Sequence, residues 1–133
     1  MADKTFHVKV VAPERIFYEG DADFIEFKTT EGEVGIYAKH VPTTSIIAPG
    51  VLRIHSAEGV KEAALLSGFV EVLQDSITIL AESVEWPEEI DANRAKEAKI
   101  RAERRLKDNS DDMDYNRAEL ALKRSIVRLL LVK

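Results

Sequence analysis

Ile90-Asp91-Ala92-Asn93-Arg94-Ala95 is the stretch from which the organisation of this chain is read, together with Arg124 and Arg128 further along. Asp91 follows the loop Trp86-Pro87-Glu88-Glu89 and suits a helix N-cap, its carboxylate accepting from the backbone N–H of Asn93 or Arg94. From Arg94 to Lys107 nearly every residue is Ala, Glu, Lys, Arg or Leu, with no Gly or Pro, so the helix continues. Asp108-Asn109-Ser110-Asp111 breaks the pattern, and Asp111 or Asp112 can cap a second helix running from about Met113 to Leu131. That helix places Ala118, Ala121, Leu122, Ser125 and Leu129 on one face.

A turn centred near Ser110 folds the two helices antiparallel. Positions whose numbers sum to roughly 220 then lie level, because each residue advances about 1.5 Å along its helix. Arg94 faces the level of Ile126, and Arg124 and Arg128, four apart on one face, flank that level. Three guanidiniums converging in this way need carboxylates or an anionic ligand. Two readings are open: a hinge salt-bridge network drawing on Glu85, Glu89 and Asp91, or a phosphate-type anion held by the planar arginine forks.

The rest of the chain is different in character. Of the 133 residues, 1–86 carry 7 basic and 14 acidic side chains, whereas 87–133 carry 12 basic and 10 acidic. The basic excess of the second part is small and no aromatic stripe accompanies it, so nucleic acid is not the expected partner; an acidic protein surface is. With no cysteine, disulfides and thiolate chemistry are excluded. The N-terminal MADKTFHVKV lacks a charged-then-apolar leader and the longest apolar run, Leu129 to Val132, is too short to cross a bilayer. A soluble protein without direct membrane insertion is expected.

Up to Trp86 the hydrophobic pattern has period two. Phe6, Val8 and Val10 alternate with His7 and Lys9, Ile25 and Phe27 with Glu26 and Lys28, and Leu52 and Ile54 with Arg53 and His55. Further strands are expected at about 34–37, 44–48, 61–66, 69–73 and 76–80, separated by turn residues. About ten short strands imply an all-β sandwich or flattened barrel over 1–86, followed by a C-terminal antiparallel α-helical hairpin over 87–133. The lack of a crossover helix argues against a parallel sheet.

Chemistry is scarce in the strand region. His7 and His55 fall on the polar phase and, with only His40 besides, no metal triad can be drawn. There is no nucleophile elbow, and Gly32-Glu33-Val34-Gly35 lacks the lysine and helix of a phosphate loop. Neither a catalytic nor a metal site is expected. One loop stands out: residues 29–42 hold two glycines, two acids, a Tyr, a His and a Pro. It reads either as a hairpin turn followed by an extended Pro connection or as a docking edge.

Four runs, Gly32-Glu33-Val34-Gly35-Ile36-Tyr37-Ala38-Lys39-His40-Val41-Pro42, Pro49-Gly50-Val51-Leu52-Arg53-Ile54, Leu66-Ser67-Gly68-Phe69-Val70-Glu71-Val72 and Ile90-Asp91-Ala92-Asn93-Arg94-Ala95, together resemble the epsilon subunit of bacterial F-type ATP synthase, in order and over essentially the whole chain. The resemblance implies a non-catalytic rotor component at the foot of the central stalk, on the cytoplasmic face of the bacterial plasma membrane. Its sandwich would dock on the gamma subunit and the c-subunit ring, with Glu31, Gly32 and Glu33 towards the ring and His40 towards gamma. Its hairpin would be regulatory, folded against the sandwich or extended towards catalytic beta and alpha subunits to block ATP hydrolysis. Arg101, Arg104, Arg105, Arg117 and Lys123 are the candidate beta contacts, by charge and helical phase.

Bacillus-type members are similar in a further respect, since their folded hairpin binds ATP. The resemblance puts Arg94, Arg124 and Arg128 on the phosphates, Asp91 and Glu85 on the adenine amino group or ribose, and Ile90 and Ala95 against the base. ATP would be a regulatory ligand without hydrolysis, and any magnesium requirement stays open. A seam of Ala95, Ala98 and Ala102 against Ala118, Ala121 and Ser125 buries little area, so the hairpin can be given up. Two alternatives stand beside this: the same rotor subunit with no nucleotide binding, and a small β-sandwich enzyme for which no acid–base residue set is present.

Overall fold

A computed structural model describes residues 4–108 and 114–132. The strands are β1 (Phe6–Ala12), β2 (Arg15–Ala22), β3 (Phe24–Thr29), β4 (Gly32–Tyr37), β5 (Thr43–Ile46), β6 (Gly50–Ser56), β7 (Gly59–Val72) and β8 (Ser76–Glu85). A 3-10 turn over Pro87–Glu89 leads to helices α1 (Ala92–Lys107) and α2 (Tyr115–Leu131). The sheet runs β2-β1-β8-β7-β6-β3-β4, with β5 added along β7, and it is folded over rather than closed. Its inner faces carry the core. Val8, Val10, Ile25, Leu52, Ile54, Val70, Ile77 and Ile79 are all buried there, on the phase expected from their alternation.

A sandwich followed by a helical hairpin is therefore the architecture, with differences in detail. Eight strands are described where about ten are expected, and the segments expected at 61–66 and 69–73 are one strand. Gly68 joins them: its φ is +131°, and a Cβ there would sit 2.2 Å from the Leu80 carbonyl oxygen. At this bulge β7 shifts register against β8 without leaving the ladder, and its outer partner changes from β6 to β5. β2 was not foreseen, since Ile16-Phe17-Tyr18 interrupts the alternation. The sheet is antiparallel as expected, with one parallel pair among the described residues. β1 and β8 pair in parallel, His7 to Ser76 through Val11 to Leu80, because the connection between these first and last strands is the rest of the sheet and not a helix.

The run Ala63-Ala64-Leu65-Leu66 is buried throughout. Ala63 and Leu65 face the sandwich core, whereas Ala64 and Leu66 pack on the opposite face with Ile90, Val127 and Leu131. That second cluster seats α2 on the sheet. Each large apolar side chain buried there contributes roughly 1.5–3 kcal/mol, so the hairpin is held by more than its own small-residue seam.

Asp91 is the N-cap of α1 as expected, its carboxylate accepting from the Arg94 N–H at 3.1 Å. The cap of α2 is Asp114, which accepts from the Arg117 N–H at 3.1 Å, and the helix begins at Tyr115. Asp111 and Asp112, expected as caps, and the turn near Ser110 lie outside the described residues. α1 buries Ala95 and Ala102, and α2 buries Ala118 and Ser125, each pair seven residues apart and so on one face. Ala98 and Ala121 are half-buried beside them. The buried Ser125 hydroxyl is satisfied by donating to the Leu122 carbonyl at 2.8 Å.

Candidate functional site

The hairpin brings the first turn of α1 alongside the last two turns of α2, because their connection is short and both helices use small residues at the seam. Arg94 therefore projects from the start of α1 and Arg124 and Arg128 from the end of α2, while β8 ends at Glu85 beneath them. Arg128 is committed to a carboxylate: its Nε donates to Glu85 Oε1 at 2.6 Å, with about 30% of each side chain exposed. Half-burial makes such a pair stronger than a fully solvated one.

Arg124 is the unusual member. Its Nε is buried and has no hydrogen-bond partner among the described residues. A buried N–H of a guanidinium without an acceptor costs about 1–3 kcal/mol. Arg94 is exposed, and among the described residues its guanidinium makes no ion pair. Asp91 spends one carboxylate oxygen on the helix cap. Ile90 and Ala95 are 9% and 3% exposed. Ile90 belongs to the cluster under α2 and Ala95 to the buried helix seam, at the base of the same end of the hairpin. Glu85 meets Arg128 first.

The loop residues divide differently. Glu31 sits in the two-residue turn of the β3–β4 hairpin, closed by the Thr29–Gly32 pair. Thr29 Oγ1 accepts from the Glu31 N–H at 3.1 Å and donates to the Gly32 carbonyl at 3.0 Å, and Gly32 has φ +125°. This turn presents Glu31 and Glu33 to solvent, while His40 is half-exposed with Nδ1 donating to the Val41 carbonyl at 2.8 Å. The candidate beta contacts Arg101, Arg104, Arg105, Arg117 and Lys123 are all exposed. Lys123 is paired with Glu119 at 3.2 Å, and Arg104 and Arg105 lie in the last turn of α1, where cations complement the helix dipole. Among the described residues no group of three or more His, Asp or Glu side chains could hold a metal ion, and no helix is long and apolar enough to cross a membrane.

The sequence did not reveal what holds the base of the hairpin. Arg15 of β2 donates from Nη2 to both carboxylate oxygens of Glu89, at 2.8 and 2.7 Å. Glu89 also accepts from the Trp86 N–H at 2.9 Å, and these bonds, the backbone one first, lower its pKa below the usual glutamate value. Trp86 stacks on Phe17 with ring centroids 4.1 Å apart. The partners Arg15 and Phe17 are distant in sequence from Glu89 and Trp86, so no local pattern announces these contacts.

Two family models cover the chain. Residues 5–87 match the ATP synthase delta/epsilon chain beta-sandwich domain and residues 88–133 the delta/epsilon chain long alpha-helix domain. The ATP synthase epsilon chain of Caldanaerobacter subterraneus subsp. tengcongensis is 48% identical over 128 residues, covering 96% of this chain and 93% of that one. That of Shouchella clausii is 47% identical over 129 residues, covering 97% and 96%. Among solved structures, a chain of the Euglena gracilis mitochondrial ATP synthase OSCP/F1/c-ring assembly shares the fold at TM-score 0.78 and 22% identity, covering 90% of this chain and 76% of that one. A chain of the Tetrahymena thermophila mitochondrial ATP synthase central stalk and c-ring does so at 0.58 and 21%, covering 95% and 92%.

Proposed function

We propose a function that proceeds from one premise: the chain belongs to the ATP synthase delta/epsilon-chain family. It is an epsilon-type subunit of the central stalk. We infer that it is a non-catalytic rotor component, peripheral on the cytoplasmic face of the bacterial plasma membrane, and that the sandwich, 1–86, docks on gamma and the c-subunit ring through the Glu31-Gly32-Glu33 turn and His40. The hairpin, 87–133, is then the regulatory part, reaching beta and alpha subunits when extended and restraining ATP hydrolysis there.

The finer reading is that the folded hairpin binds ATP as a sensor. The observation that supports it most is the buried Nε of Arg124, which has no hydrogen-bond partner among the described residues and is a donor of the kind that binds phosphate oxygens. Glu85 and Asp91 lie within the same end of the hairpin as acceptors for the sugar or base, and Ile90 and Ala95 wall it from behind. ATP bound only to the folded form at 100 times its dissociation constant would favour that form by about 2.7 kcal/mol. High ATP would keep the clasp closed and low ATP would release it.

Equilibrium dialysis with labelled ATP tests this. The parent chain should bind one equivalent, and Arg124→Ala and Arg94→Ala should each weaken binding at least about tenfold, the equivalent of 1.4 kcal/mol. The Glu85–Arg128 ion pair favours the competing reading, in which the arginines serve only salt bridges or beta contacts. Absence of binding at millimolar ATP with and without magnesium would establish that reading instead.

A further inference from the structure

A second candidate binding site lies on the sandwich. The registers of β4, β3 and β6 align Tyr37, Phe24 and His55 side by side, on the face opposite the buried Ile25, Ile36 and Ile54. The Phe24 and Tyr37 rings stack with centroids 4.3 Å apart, and the His55 ring tilts against Phe24 at 5.1 Å. Gly35 makes the arrangement possible, since a Cβ there would meet the Phe24 ring at 2.8 Å. Glu26 holds His55 through a 2.7 Å contact to its Nε2. The rings thus form a fixed ledge with Tyr37 outermost, 67% exposed.

This ledge is one wall of an open cleft of about 760 Å³ that Lys4, Asp23 and Lys39 also line, a size within the usual range for small ligands. Lys39 takes φ +63° and donates its N–H to the Gln74 carbonyl at 3.1 Å. Glycine adopts that left-handed backbone freely and lysine does not. A strained lysine at the rim of an aromatic cleft is an outlier of the kind from which function is inferred. Two ammonium groups against one carboxylate leave the cleft net positive.

We propose that this cleft binds a small planar aromatic anion, its ring laid on the Tyr37 ledge and its carboxylate or phosphate taken by Lys39 and Lys4. Asp23 accepts an N–H from the ring edge. The site is separate from the hairpin arginines, and its test needs no nucleotide.

Indole-3-carboxylate is the probe, titrated into the full chain with amide shifts followed by NMR; indole-3-carboxamide supplies the ring without the charge and acetate the charge without the ring. Saturable shifts at residues 24, 37, 39 and 55 are expected, with a dissociation constant of about 1 mM or tighter. Lys39→Gly should weaken binding about fivefold while leaving the fold intact, because glycine relieves the backbone, and Tyr37→Ala should do the same through loss of stacking at an exposed position. Equal binding of the carboxamide or of acetate would overturn the proposal. So would shifts confined to the hairpin, or an affinity that neither variant changes.

Discussion

Removing the charge of Glu85 tests how the hairpin is held. In Glu85→Gln the amide oxygen can still accept from Arg128 Nε, but the 2.6 Å contact loses its charge assistance. Hydrogen bonds to charged groups contribute about 1.5–3 kcal/mol against roughly 1 kcal/mol for neutral ones. With about 30% of each side chain open to solvent, screening takes the difference to the lower end, about 1 kcal/mol. At about 2.1 cal/mol/K of unfolding entropy per residue, the 133-residue chain changes stability by about 0.28 kcal/mol per degree near its midpoint, so the melting temperature should fall by about 3–4 °C. Because the pair joins the end of β8 to the last turn of α2, hydrogen exchange should show the loss first in α2 amides, with protection reduced about fivefold and the sandwich strands unchanged. A double-mutant cycle with Arg128→Met isolates the pair. A coupling energy below about 0.3 kcal/mol, or a loss of protection spread evenly over sandwich and hairpin, would refute the assignment of this ion pair as the hairpin's clasp.

Two further outcomes follow from single positions. Gly68→Ala places a methyl 2.2 Å from the Leu80 carbonyl at a backbone φ of +131°, so it should cost upwards of about 3 kcal/mol, read as a melting-temperature drop of about 10 °C or as failure to fold; a drop under 3 °C would mean that the β7 bulge relaxes easily. His7 lies 2.7 Å from Glu19 and 3.3 Å from Asp21, and these carboxylates, Glu19 foremost, raise its pKa above 6.5. Its protonated form is thus favoured by folding, so its contribution is full below pH 6.5 and disappears as pH rises through the raised folded value. With the ring about half exposed the effect is only about 0.5 kcal/mol; His7→Gln should lower the melting temperature at pH 5.5 and leave it unchanged at pH 8.5, and equal losses at both would assign His7 a packing role instead.

How much of this was legible in the sequence depends on the range of the interaction. Asp91 was readable as a cap because a carboxylate at that position and the N–H three residues on are brought together by the helix itself. The inward phase of Val8, Val10, Ile25 and Ile54 was readable because a strand turns over every second residue. The placing of Arg94 in the first turn of one helix and of Arg124 and Arg128 towards the end of the other needed only the helix bounds. Where several aspartates stood close together, sequence was less decisive: Asp111 or Asp112 was the expected cap of α2, and the structure uses Asp114.

Composition and periodicity by themselves determined a strand-rich first part and a helical second part. Only the tertiary structure decided that β7 runs unbroken through Gly68, that β1 and β8 lie parallel, that Ala64 and Leu66 face α2, that Arg128 is spent on Glu85 while Arg124 Nε is buried without a partner among the described residues, and that Arg15 reaches Glu89. The physical reason is that period-two and period-3.6 patterns report only which way a side chain points from its own backbone. Which group it meets there is set by register and layer stacking between segments far apart in the chain, and no local pattern encodes that.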